Sequence, residues 1–142
     1  MPQPFVHTHL HTEYSLVDGT VRIKQLVEKA RDLGMPAIAV TDQNNLFALV
    51  KFYRAAEAAG IKPIIGSELL LRSPDDPDHI SRLVLLCQNR QGYLNLTDLV
   101  SRTYIDGQQR GLPVLERAWQ QGHDFEREPM VYKSHSFSVD RE

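Results

Sequence analysis

Val6-His7-Thr8-His9-Leu10-His11 alternates three imidazoles with apolar or β-branched residues, and Thr12-Glu13-Tyr14-Ser15 and Asp18-Gly19 follow at once. In an extended strand alternate side chains share a face, so His7, His9 and His11 are expected on one side and Val6, Thr8 and Leu10 on the other. Imidazole is the commonest protein ligand for zinc and related divalent ions, and it binds them without bringing charge of its own. The pattern therefore points to a metal site. An affinity tag or a solvated edge strand also produces such runs, but the residues between these histidines suit a strand covered on its second face.

The elements that would position this site read as an α/β pattern. Val21, Ile23, Leu26, Val27, Ala30 and Leu33 recur at helical spacing among charged residues, and Gly34 and Pro36 supply the stop. Ala37-Ile38-Ala39-Val40-Thr41 is short and continuously apolar, as in a strand covered on both faces. A second helix is expected over 46–59, ending at Gly60, with strand-like apolar residues over 61–71. The polar loop Ser73-Pro74-Asp75-Asp76-Pro77-Asp78 precedes a strand over 83–87 and a helix over 93–104. Alternating strands and helices argue for right-handed βαβ units and a parallel sheet or barrel. Functional groups in such folds gather where strands end, and three polar clusters stand there: 9–18, Thr41 to Asn45, and Gly66-Ser67-Glu68.

Composition narrows the function classes. The 142 residues suit one modest domain, and the 42% hydrophobic and 24% charged fractions are those of an ordinary globular chain. A net charge of -2 gives no electrostatic signature for nucleic acid. No run approaches the ~18 to 20 apolar residues that cross a membrane, and no secretory signal opens the chain, so a cytoplasmic location is expected. The lone Cys87 lies in the apolar run Leu83 to Cys87 and reads as a structural thiol.

Linked blocks carry a family resemblance: Phe5-Val6-His7 through Leu16-Val17-Asp18-Gly19, Gly34-Met35-Pro36 through Thr41-Asp42, Leu49-Val50-Lys51-Phe52-Tyr53, Gly60-Ile61-Lys62-Pro63-Ile64-Ile65-Gly66, and Gly92-Tyr93-Leu94-Asn95-Leu96. Over about residues 5 to 119 the chain resembles the polymerase and histidinol phosphatase (PHP) family, in the branch carried by bacterial replicative DNA polymerase alpha subunits. The resemblance implies a parallel-stranded, distorted (β/α) barrel with a cluster of metal ions at its mouth. Members with all ligands hydrolyse phosphoesters, and others keep the domain as a scaffold. It places metal ligands at His9, His11 and Glu68, with Asp18 a further candidate; His7 lies outside the matched pair, and a structural or supporting role behind the ligands is expected for it and for Asp42.

Two departures bear on activity. The family's Thr-Asp-His motif here reads Thr41-Asp42-Gln43, and an amide is a poor ligand. Where the family commonly has histidine before the strand at 83–86, this chain has Arg82, which cannot ligate and repels a cation. His9, His11, Asp18 and Glu68 alone support one weakly held divalent ion, zinc, manganese or magnesium, and not a hydrolytic cluster. Alternatively Arg82 stands in for an ion beside Glu68 as an ion pair. No catalytic residue is assigned, and phosphoesterase activity is expected to be impaired or absent. Polymerase chemistry would need metal-presenting carboxylates that the family keeps in another domain.

The family domain extends past residue 142, so only a partial barrel is expected, over 1–119, with an unpaired edge that favours self-association. Residues 120–142 read as a divergent, poorly ordered tail in which His123 and His135 are solvated. The resemblance implies as partners the remainder of the polymerase alpha subunit, a proofreading exonuclease subunit, and DNA through the full-length protein, with no membrane. Lys51, Phe52 and Tyr53 are candidates for a partner surface, though ordinary helix packing explains them as well. A metal-dependent phosphoesterase of the PHP family is the competing function, and a nucleic-acid-binding module a third.

Overall fold

The computed structural model describes residues 4–16, 18–76, 78–117, 119 and 130–138. Two compact units, Met1–Ser67 and Glu68–Glu142, divide within a single strand.

In the first unit, helix α1 (Ile23–Asp32) precedes strand β1 (Ala37–Gln43), helix α2 (Leu49–Ala58) and the opening of strand β2 (Lys62–Arg72). Both helices lie inside the spans expected from periodicity, two or three residues shorter at the start and one at the end. Gly60 closes the turn after α2 at a φ of 72°, a left-handed conformation that side chains disfavour. The Lys62 amide donates to the Pro36 carbonyl where β1 and β2 begin, and further along both the Ser67 hydroxyl, midway through β2, donates to the Asp42 carbonyl near the end of β1. The contacts advance in the same direction along both strands, so β1-α2-β2 is a parallel βαβ unit.

The core of this unit joins one face of each helix to β1. Ile23, Val27 and Ala30 of α1 cluster with Ile38 and Val40 of β1 and with Phe52 and Ala56 of α2. Phe52 is fully buried, whereas Lys51 and Tyr53 beside it are exposed. The trio therefore divides between core and surface, as a helix in ordinary packing requires.

The opening segment departs from expectation. It runs beside β1 but forms no regular strand. The Ala39 amide donates to the His7 carbonyl and the Thr41 amide to the Leu10 carbonyl, at 2.9 and 2.8 Å. Three steps along the segment thus match two along β1, and the Leu10 amide bonds to the Thr41 hydroxyl rather than to backbone (2.9 Å). The extra residue lies between His7 and Leu10 and interrupts the regular alternation expected there. Leu10 still packs on the core, as its place opposite the histidines predicts.

The second unit holds the rest of β2, strand β3 (His79–Cys87), helix α3 (Arg90–Ile105), and strands β4 (Gln108–Gln109), β5 (Leu112–Leu115) and β6 (Met130–Ser138). Leu70, Ile80 and Val114 form a buried cluster, and α3 packs on β3 and β5. The sheet runs β4-β5-β2-β3-β6, with β1 also on β2. β2 and β5 are parallel, while β3 pairs antiparallel with β6, as β4 does with β5.

The α/β class with parallel strands is present, but the regular alternation of strand and helix fails after β2. A six-residue loop leads straight into the neighbouring strand β3, closed by a bond from the Ser73 amide to the His79 carbonyl (3.1 Å). So short a link joins antiparallel neighbours, because a parallel crossover needs a dozen or more residues. Strand β6 falls in the stretch read as a divergent tail, paired along β3 from His79↔Ser138 to Cys87↔Met130. A strand edge offers unused amides and carbonyls along its length, and Val131, Tyr132 and Phe137 have high strand propensity. His135 is within β6, and His123 lies outside the described residues.

Candidate metal centre

Two nested turns bring the acidic group of the first motif back onto its histidines. The Ser15 amide donates to the Thr12 carbonyl, and the Gly19 amide to the Ser15 carbonyl, at 2.9 and 2.8 Å. Gly19 is required because a Cβ there would sit 1.7 Å from the Thr12 carbonyl oxygen. The loop so formed sets the Asp18 carboxylate 3.0 Å from His11 Nδ1, while the Ser15 hydroxyl donates to Asp18 Oδ1 at 2.8 Å. A carboxylate on Nδ1 fixes the ring and leaves Nε2 to present a lone pair.

Asp42, at the end of β1, is buried under this loop. Its carboxylate accepts the Thr12 amide at 2.6 Å and the Thr12 hydroxyl at 2.7 Å. Gln43 meets the same loop through its backbone, its amide donating to Ser15 Oγ (3.2 Å). Asn45 donates to the carbonyls of Tyr14 and Gln43, and Ser67 is buried beneath, on the Asp42 carbonyl. From sequence Thr12, Ser15, Asn45 and Ser67 stand only as members of the three polar clusters, with no role of their own. A Thr next to a His-x-His pair is the one signal that could have marked this support.

Glu68 follows Ser67 in β2 and is fully buried, and its Oε1 lies 3.5 Å from Arg82 Nη1. The ion pair weighed as an alternative use of Arg82 is thus present. The donor atoms of His9, His11 and Glu68 all lie within 4.8 Å of one another, a group that could hold a metal ion. Asp18, expected as a further ligand, is placed on His11 Nδ1, and His7 sets its ring edge-on to Phe5 at 4.6 Å. Neither belongs to the three-residue group.

Two imidazoles and a carboxylate are donors that zinc accepts in catalytic sites, with a fourth position open. The donor set therefore fits one divalent ion. A second ion would need further anionic or imidazole ligands, and Arg82, 3.5 Å from Glu68, brings a cation instead. Burial of Cys87 pushes its thiol up to about 11, which keeps it protonated and unsuited to metal or nucleophilic chemistry.

Comparison with known proteins gives this arrangement its context. The chain is 59% identical over 119 residues to a DNA polymerase III subunit alpha from Pseudomonas fluorescens, and 53% identical over 119 residues to that of Pseudomonas aeruginosa. Each match covers 84% of this chain and 10% of the relative, so the chain spans about a tenth of the curated relatives' length. Among solved structures it resembles a candidate metal-dependent phosphoesterase from Bifidobacterium adolescentis, with a TM-score of 0.57 at 22% identity, covering 73% of this chain and 34% of that one. That likeness carries the fold alone and agrees with a partial barrel. Residues 7–134, which include the His-x-His segment, Asp42, Glu68 and Arg82, match the PHP domain, and the chain belongs to that family.

Proposed function

We propose that the chain serves as the PHP module of a bacterial replicative DNA polymerase alpha subunit, a cytoplasmic scaffold whose phosphoesterase centre is degenerate. The names of its relatives support the polymerase setting. The remainder of that subunit, a proofreading exonuclease subunit, and DNA through the full-length protein are the partners this setting implies.

The observation that carries the degenerate reading is the guanidinium of Arg82 held 3.5 Å from the buried carboxylate of Glu68. A fixed cation there neutralises the acid that would anchor an ion and repels a second ion. His9, His11 and Glu68 retain a place for one divalent ion, zinc, manganese or magnesium, weakly held. When bound, such an ion would polarise a phosphate oxygen or lower the pKa of a water. Around it, Asp18 orients His11 and Asp42 supports the loop, while His7 packs on Phe5 in a structural role. Gln43 and Arg82 mark the lost ligand positions.

Elemental analysis of the purified chain and of its Gln43→His/Arg82→His double variant tests this. The parent is expected to hold less than one equivalent of transition metal after dialysis and the double variant clearly more. An unchanged metal content would overturn the ligand-loss argument. A working metal-dependent phosphoesterase is the second reading, favoured by the surviving group His9, His11 and Glu68. Stoichiometric metal in the parent, with turnover of a phosphomonoester that EDTA abolishes, would establish it.

A further inference from the structure

His11 is bracketed by hydrogen bonds to two consecutive residues of β1. On its amino-terminal side, the Leu10 amide donates to the Thr41 hydroxyl at 2.9 Å, and the Thr41 amide donates to the Leu10 carbonyl at 2.8 Å. On its carboxy-terminal side, Thr12 gives both its amide and its hydroxyl to the two oxygens of Asp42, at 2.6 and 2.7 Å. Thr12, Thr41 and Asp42 are each no more than 1% exposed, and the Asp42 backbone is itself fixed by Ser67 Oγ at 2.7 Å.

We propose that Asp42 and Thr12 are positioning residues, a buried latch that holds His9-Leu10-His11 in its ion-presenting conformation whether or not an ion is bound. The proposal rests on the preceding reading only in taking His9 and His11 as the presenting groups. In a site that depends on its ion for order, donors converge only when metal is present, because the ion supplies the energy that orders the loop. Here a carboxylate with two buried donors supplies it. Bonds to a charged acceptor are the stronger class, and removing one partner leaves the other buried without compensation. The latch also explains how a loop built for ligands keeps its shape in a chain that has lost some of them.

The test combines amide hydrogen exchange with zinc titration on the 142-residue chain. In the EDTA-stripped chain the Thr12 amide is expected to be protected, and Asp42→Asn should speed its exchange about 10- to 100-fold. Val27→Ala, a core change in α1, serves as a control of comparable destabilisation and should leave local exchange at Thr12 far less affected. Zinc affinity should fall about tenfold or more in Thr12→Val, recover in Thr12→Ser, which restores the hydroxyl, and stay near the parent value in Val27→Ala. Protection of Thr12 that appears only on adding zinc would overturn the latch. So would a Thr12→Val variant no weaker for zinc than Val27→Ala. A parent chain that binds no zinc yet protects Thr12 would remove the one-ion reading and support the latch as ion-independent.

Discussion

The side chains with most bearing on function are those whose neighbours restrict what they can do. Glu68 faces Arg82 and Asp42 faces Thr12, so two buried carboxylates have different roles: one lies among metal-capable donors, and the other carries a loop. Cys87 is similarly restricted. Burial raises its pKa from the ordinary 9.0 to about 11, because the thiolate is the form that burial disfavours. Alkylation by iodoacetamide should therefore follow a pH profile with its midpoint near 11 rather than 9. The folded state binds this proton more tightly than the unfolded one. Its contribution to stability is fully present below pH 9 and declines as pH rises towards about 11, which denaturant titrations across that range would measure. His9, His11 and Glu68 were legible as ligand candidates from residue type and family spacing. Asp18's contact with His11 was not, since spacing brings a carboxylate near a histidine without saying whether it meets an ion or a ring nitrogen.

At the scale of elements, local chemistry decided where helices start and stop. Helix α3 begins at Asn89, whose side chain accepts the Gly92 amide at 3.0 Å, satisfying one of the unpaired donors of the first turn. Asn89→Ala should cost about 1 kcal/mol, read as a lower urea midpoint with an unchanged m-value. Helices α1 and α2 and strands β1 and β2 follow the periodicity and turn residues closely, whereas β3 begins four residues before the expected 83, so that Arg82 lies within the strand and not before it, and α3 begins three residues before the expected 93. Strands β4 and β5 were not anticipated: two and four residues are too short for a periodic signal, and their pairing depends on a turn and on β2. The first segment failed as a strand for the opposite reason. Its pattern is regular, but its register on β1 slips by a residue when Leu10 bonds to the Thr41 side chain.

For the molecule as a whole, stability in the first unit is concentrated where three elements meet. Phe52 is fully buried among α1, β1 and α2, and Phe52→Ala should cost about 3 to 5 kcal/mol, seen by denaturant unfolding. Among the described residues no helix is long and apolar enough to cross a membrane. The sequence alone determined the α/β class, the helix and strand order from α1 to α3 and the family, because hydrophobic period and turn glycines act locally and are written in order along the chain. Tertiary structure decided the rest: the hairpin from β2 to β3, the Arg82–Glu68 pair, the placing of Asp18 on His11, and the Asp42–Thr12 latch. Each of these joins groups through space, where an ångström separates a ligand from a support. A one-dimensional pattern fixes which face a side chain takes but not which atom it meets.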